Sequence, residues 1–352
     1  MESTLPALAV QNLNLLTVEE IKAACARSES IAYADPMLAR TELPLRRMFY
    51  PLGFPLEVST NCADVLDIAE ESWRGFRPLF NMDPIRFQIG ITEGGANACP
   101  PAPSSRVREH LCSHVADREN FAISDARNAF TLMWLAQSTL AHRDYIRYFM
   151  LESSAMFHLA ARYTIGIHAA CVALQGDGLL LCGDSGAGKS TLAYGCARAG
   201  WTYITDDASF LVIDRNDSLV VGNARQVRFR PSAETLFPEL QGRSILQRGA
   251  ETGKPSIELS TEPFAALDTS FSTRIKHLVF LSRGTADEPE LVPLSAKVAE
   301  AYILQRAIGI PEVEKPQLAA VDRLLTRGVF ELRYTTLDGA IARLRTLLQE
   351  GR

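Results

Sequence analysis

The first forty-five residues read as an extension. Thr17-Val18-Glu19-Glu20 has the spacing of a capping box and predicts a short helix through about Arg27. Pro36 and Pro44 then bracket a linker. From Arg47 the pattern shortens to strand-like runs at Met48–Tyr50, Leu56–Ser59 and Ile85–Ile91, with a helix from Asp64 to Trp73 between them. Thr92–Ser105 is rich in Gly, Pro and small residues and reads as a loop. Helical spacing returns at Tyr145–Ala161, where Ile146, Phe149, Met150, Ser153, Met156, Phe157 and Ala160 mark one side.

The texture changes near Thr164. Ile167–Leu174 reads as one strand, Gln175-Gly176-Asp177-Gly178 as a turn, and Leu179–Cys182 as the next strand. A glycine-rich loop leads into a helix from Lys189 to Ala199, closed by Gly200. Strands follow at Trp201–Thr205, Phe210–Ile213, Leu219–Val221 and Lys276–Leu281. Helices follow Ser295 and span Pro316–Arg327 and Leu337–Leu348, around a strand at Val329–Tyr334. This mixture predicts an α/β chain in three parts: an extension (1–45), an N-terminal α+β domain (46–162) and an α/β domain (163–352).

Composition narrows the classes. Charged residues make up 22%, hydrophobic residues 47%, and the net charge is −5. Those values exclude a disordered chain and argue against a nucleic-acid binder held by a basic face. No uncharged apolar run approaches membrane-spanning length, and Met1-Glu2-Ser3-Thr4 does not open a secretory signal. The seven Cys include no C-x-x-C pair. Free thiols in a reducing compartment, the cytoplasm, are expected.

The chemistry concentrates in Gly183-Asp184-Ser185-Gly186-Ala187-Gly188-Lys189-Ser190, which fits G-x-x-x-x-G-K-[ST] at every fixed position. An apolar strand runs into it and a helix leaves it, as such a loop requires. Its glycines let backbone N–H groups turn inward around a phosphate, at the positive end of the new helix. Lys189 is expected to reach the β- and γ-phosphates and Ser190 to ligate Mg²⁺, with Thr191 supporting the turn. ATP and Mg²⁺ are the cofactors this implies.

A second acid is needed. Asp206-Asp207 closes the strand after the loop helix, 17 residues past Lys189. Asp214 ends another apolar strand, but the Asp-Arg-Asn-Asp run there has the composition of a hairpin turn. Adjacent acids are expected at a strand end where a cation offsets them. One would accept the proton of an attacking hydroxyl and the other would help hold the metal. Asp206 is assigned as base and Asp207 as metal ligand, with the reverse left open.

The runs Gly166-Ile167-His168-Ala169-Ala170, Gly183 to Leu192, Ala199-Gly200-Trp201 and Thr205-Asp206-Asp207 resemble the catalytic domain of HPr kinase/phosphorylase and its HPr-kinase-like relatives. The resemblance covers about residues 163–213 and, more loosely, the ending Val329–Tyr334 with its Leu-rich helix. It implies a P-loop kinase core of the HPr kinase and phosphoenolpyruvate carboxykinase type. It also implies a hydroxyl acceptor, a serine of a peptide or protein, and a ring or dimer. It places His168 near the transferring phosphate. Thr191 stands where bifunctional members carry Glu, so phosphorolysis is not expected. Lys254, Arg228 and Arg230 are candidate transition-state cations. His110 and His114, four apart, could share a helix face, but no further metal ligands accompany them. Two other functions remain open: a nucleotide switch or ATPase without transfer, and a small-molecule kinase.

Overall fold

The structure, a computed structural model, describes residues 17–27, 41–246, 255–261, 267–284, 288–305, 307 and 309–350. Its first sheet contains β1 (Leu45–Phe49), β2 (Leu56–Thr60), β3 (Ile85–Thr92), β4 (Ser104–Arg108), β5 (Leu111–Val115), β6 (Phe121–Asp125) and β7 (Phe130–Ala136). The spatial order is β1-β2-β3-β7-β6-β5-β4. β2, β3 and β7 run parallel, and the hairpins from β4 to β7 are antiparallel. Ala63–Trp73 and a long helical stretch over 143–162 cover its inner face.

The remaining strands are β8 (Thr164–Ile167), β9 (Ala170–Leu174), β10 (Asp177–Cys182), β11 (Thr202–Thr205), β12 (Ser209–Val212), β13 (Leu219–Gly222), β14 (Gln226–Phe229), β15 (Ile245–Leu246), β16 (Ser256–Ser260), β17 (Ser272–Arg283), β18 (Glu290–Pro293) and β19 (Gly328–Tyr334). Nine of them form a mixed sheet centred on β17, which lies parallel to β10 on one edge and to β19 on the other. β14, β15 and β16 form a small separate sheet.

β10 is buried on both faces, the mark of a strand between two helical layers. Leu179 and Leu181 face the helices Lys189–Arg198 and Leu337–Glu350. Leu180 and Cys182 face the helices Ala296–Leu304 and Glu314–Leu325. The fold is therefore mixed α/β. Ligand sites in such sheets lie beyond the carboxyl ends of parallel strands, where β10 delivers the glycine loop. Among the described residues no helix is long and apolar enough to cross a membrane, and all seven cysteines are free.

Two of the segments read from the sequence take a different form. Ile167–Leu174 is two strands, β8 and β9, broken at His168. There the Ala169 N–H donates to Ile167 O (2.8 Å), and the two pieces pair with different neighbours. His110 and His114 lie in the β4–β5 hairpin rather than on a helix. His114 is held by Ser105 (2.7 Å) and Cys112 (3.5 Å), a fixed polar cluster within a sheet. Lys254 and Gly253 lie outside the described residues.

Candidate functional site

The segment from Gly183 to Gly188 leaves the end of β10 with Gly183, Gly186 and Gly188 all at positive φ, a conformation that glycine adopts without strain. At Gly188 (φ 98°) an added Cβ would stand 3.0 Å from the Tyr334 hydroxyl. The Ala187 N–H donates to Asp184 O (3.1 Å), and Leu192 N–H to Gly188 O (2.8 Å) starts the helix Lys189–Arg198. Lys189 is buried. Its ammonium donates to Gly183 O (2.8 Å) and Asp184 O (3.1 Å), so it folds back over the loop it follows.

Beyond the loop, Lys189 Nζ lies 3.0 Å from His168 Nε2. The other ring nitrogen, Nδ1, lies 3.1 Å from Asp207 Oδ1. The break between β8 and β9 makes this possible, because it places His168 on a bend instead of in a strand face. Asp206 and Asp207 follow β11, and their carboxyls part company. Asp206 is buried and its Oδ2 accepts the Arg228 N–H (2.8 Å), while Asp207 turns to His168. The Ser190 hydroxyl, on the helix's first turn, is 3.5 Å from Asp206 O.

These environments split the two carboxyls. Burial pushes Asp206 up to about 6, reinforced by the neighbouring Asp207 charge and opposed by the Arg228 N–H and the Tyr203 hydroxyl. The His168 hydrogen bond holds Asp207 below the usual carboxylate range, and the charges of Lys189 and Arg228 add to it. One group is therefore poised to take a proton near neutral pH, and the other stays charged.

A cavity of about 770 Å³ opens over these groups. Ser185, Gly186, Gly188, Lys189, Ser190 and Thr191 line one wall, and His168, Asp206 and Asp207 its floor. Arg228 and Arg230, carried by and just past β14, line the opposite wall. Arg228 pairs with Glu258 (3.0 Å), and Arg230 reaches Ser185 of the loop (3.3 Å). Asp214 is not among the lining residues and sits in the turn between β12 and β13.

Sequence reading missed Tyr302 and Arg283. The Tyr302 hydroxyl lies 2.7 Å from His168 O, 2.9 Å from Gly183 O and 3.2 Å from the Gly183 N–H, joining the two halves of the site. Arg283 ends β17 at the cavity rim. Neither belongs to a local motif. Tyr302 comes from a helix 119 residues downstream of Gly183, so no spacing signals it.

No family model matches the chain, and no curated protein is similar enough to count as a match. Among solved structures, the chain is similar to the HPr(Ser) kinase/phosphatase from Coxiella burnetii. The likeness has 12% identity and a TM-score of 0.28, covering 53% of this chain and 98% of that one. A likeness that slight adds no weight to the reading of the site, which stands on its geometry.

Proposed function

We propose that the chain is an ATP- and Mg²⁺-dependent phosphotransferase that moves a γ-phosphate to a hydroxyl, a serine of a peptide or protein. The supporting observation is the chain of contacts Lys189–His168–Asp207 within one cavity, which brings the glycine loop and the acid pair within a side chain's reach of each other.

The residues suit the ligand. Backbone amides of the loop Gly183–Gly188 and the helix N-terminus would cradle the phosphates, with Asp184, Ser185 and Ala187 supplying backbone and the Ala187 N–H leaving Asp184 O to do so. Lys189 would exchange its carbonyl partners for phosphate oxygens. Ser190 and Asp207 would hold Mg²⁺, which when bound offsets phosphate charge. Thr191 supports the turn. Asp206 would accept the acceptor hydroxyl's proton as that oxygen bonds to the γ-phosphorus and the bond to the ADP oxygen breaks. His168 would hold Asp207 and Lys189 in register. We place the protein in the cytoplasm, where its free thiols stay reduced, and expect self-association.

The decisive experiment incubates candidate peptides with ATP and Mg²⁺ and looks for one added phosphate by mass spectrometry. Lys189→Ala should abolish nucleotide binding. Asp206→Asn should keep nucleotide affinity within a few-fold while transfer falls by about 10²–10⁴. Hydrolysis to ADP with every acceptor, and no phosphopeptide, would leave the switch or ATPase reading standing instead. Transfer to a free hydroxy-amino acid would mark a small-molecule kinase.

A further inference from the structure

Three arginines line the cavity, and their surroundings give them unlike tasks. Arg228 is committed. Its backbone N–H holds Asp206 (2.8 Å), and its guanidinium pairs with Glu258 (3.0 Å), a carboxylate only 8% exposed. Arg283 makes no side-chain hydrogen bond or ion pair among the described residues. Its charge acts on Tyr334, which lies against the Ala187–Gly188 end of the loop. Arg230 differs from both. It is exposed and reaches across the cavity to the glycine loop, where its Nη2 lies 3.3 Å from the Ser185 hydroxyl. That partner is neutral, so the Arg230 charge has no counter-ion among the described residues.

The backbone that carries Arg230 is fixed relative to the loop. Phe229, just before it, is buried against Tyr194 of the loop helix (ring centroids 5.1 Å apart) and against Phe237 (5.8 Å). Pro231, just after it, has its φ locked by the ring. An exposed side chain on an anchored backbone can change partners without moving the wall it stands on. Its place along the loop follows from Lys189. That ammonium sits on Gly183 O (2.8 Å) and Asp184 O (3.1 Å), and such a lysine serves the β- and γ-phosphates. Ser185 is the next residue. The Arg230 guanidinium therefore stands at the γ-phosphate end of the loop, above the floor made by Asp206 and Asp207.

We propose that Arg230 is a catalytic residue of the transfer, the cation that stabilises charge on the γ-phosphoryl group as it leaves ADP. This role rests on the phosphotransfer proposed above. In that step the acceptor oxygen bonds to the γ-phosphorus. The bond to the ADP oxygen breaks, its electron pair stays on ADP, and the acceptor's proton goes to Asp206. Arg230 gains and loses no proton. It leaves Ser185 and donates N–H groups to the γ-phosphoryl oxygens and the departing oxygen, for which its planar fork is suited. Lys189 meets the phosphates from the loop side and Arg230 from the facing wall. Contacts that strengthen as the bond breaks act on rate more than on nucleotide binding.

The test uses the full chain and fluorescent mant-ADP with Mg²⁺, titrated with and without aluminium fluoride, which mimics the transferring group. In Arg230→Ala, ADP affinity should stay within about threefold of wild type. Aluminium fluoride should tighten ADP binding by about tenfold or more in wild type and leave it unchanged in the variant. ATP turnover, read as phosphopeptide or as ADP release, should fall by about 10²–10⁴ with KM for ATP little changed, and added guanidinium ions should restore part of it. Arg230→Lys keeps the charge but not the fork and should recover only part of the rate. Arg230 is exposed, so the variants should keep their thermal midpoints. Undiminished turnover in folded Arg230→Ala would overturn the assignment. So would a fall in ADP affinity equal to the fall in turnover, which would make Arg230 a nucleotide-binding group. Loss of the fluoride effect in Arg283→Ala but not in Arg230→Ala would move the role to Arg283. A wild type that binds no ADP and turns over no ATP would bring down the phosphotransfer reading itself, and that failure is told apart because it needs no substitution.

Discussion

Tyr302 illustrates how one side chain ties a site together. Its phenol has a single proton, yet His168 O and Gly183 O both lie within hydrogen-bond range. Gly183 O also accepts from Lys189. While Lys189 holds that carbonyl, the phenol proton serves His168. Were Lys189 to turn to a phosphate, as proposed, Tyr302 could supply the lost donor. Tyr302→Phe keeps the ring's packing on Phe280 and removes only the hydroxyl. Nucleotide affinity should weaken by about 5- to 10-fold, the worth of roughly one hydrogen bond, and transfer should slow. Calorimetric titration with ATP-Mg²⁺ checks this, and unchanged affinity would show that the hydroxyl is dispensable. At Gly188, positive φ and the 3.0 Å approach to Tyr334 act together. Gly188→Ala should cost about 1–3 kcal/mol in urea unfolding. Tyr334→Phe should not rescue it fully, because the backbone strain remains.

At the level of elements, the long helical stretch 143–162 sits on the first sheet's inner face through an unusual core histidine. His158 is fully buried; its Nε2 meets Thr131 Oγ1 (2.8 Å), which meets Ser124 Oγ (2.8 Å). Burial, with Arg162 nearby, pushes His158 down to about 4 from 6.5. The unfolded chain therefore takes up this proton at a higher pH than the native one does. The contribution of His158 to stability should be level above about 6.5 and fall by about 3 kcal/mol as pH drops through the window to about 4. His158→Gln should flatten that part of the stability-versus-pH curve, read from urea midpoints. An equally steep fall in the variant would assign the acid sensitivity to other groups.

Across the whole molecule, the two large sheets are not independent. Val212 and Val221 of the second sheet belong to the same buried cluster as Leu56, Phe87 and Met133 of the first, and Phe54 stacks on Tyr163. Cutting at residue 162 would expose that apolar surface to water, at about 25 cal/mol for each Å². The fragment 163–352 should then bind a hydrophobic dye and lose its cooperative thermal transition, whereas the full chain melts cooperatively. A sharp melt for the fragment would show that the second sheet folds without the first. The boundary that composition draws near residue 163 therefore falls within a shared core.

Much of this was legible in the chain itself. Periodicity placed β10, the loop helix and Leu337–Glu350 within a few residues, because each buries a continuous apolar set. The glycine loop was readable because its positive-φ positions and the helix that follows demand adjacent residues in fixed order. The hairpins β4–β7 were not anticipated, because inward Ser124 and Thr131 and outward Ile123 and Leu132 reverse the usual alternation. The sequence brought Asp206 and Asp207 forward as neighbours but left their roles open; their opposite surroundings, Arg228 N–H for one and His168 for the other, exist only in three dimensions. Composition, spacing and local stereochemistry were fixed by residue order alone. Which distant groups meet, as Tyr302 meets Gly183 and His168, was decided by the packing of helices against strands far away in the chain.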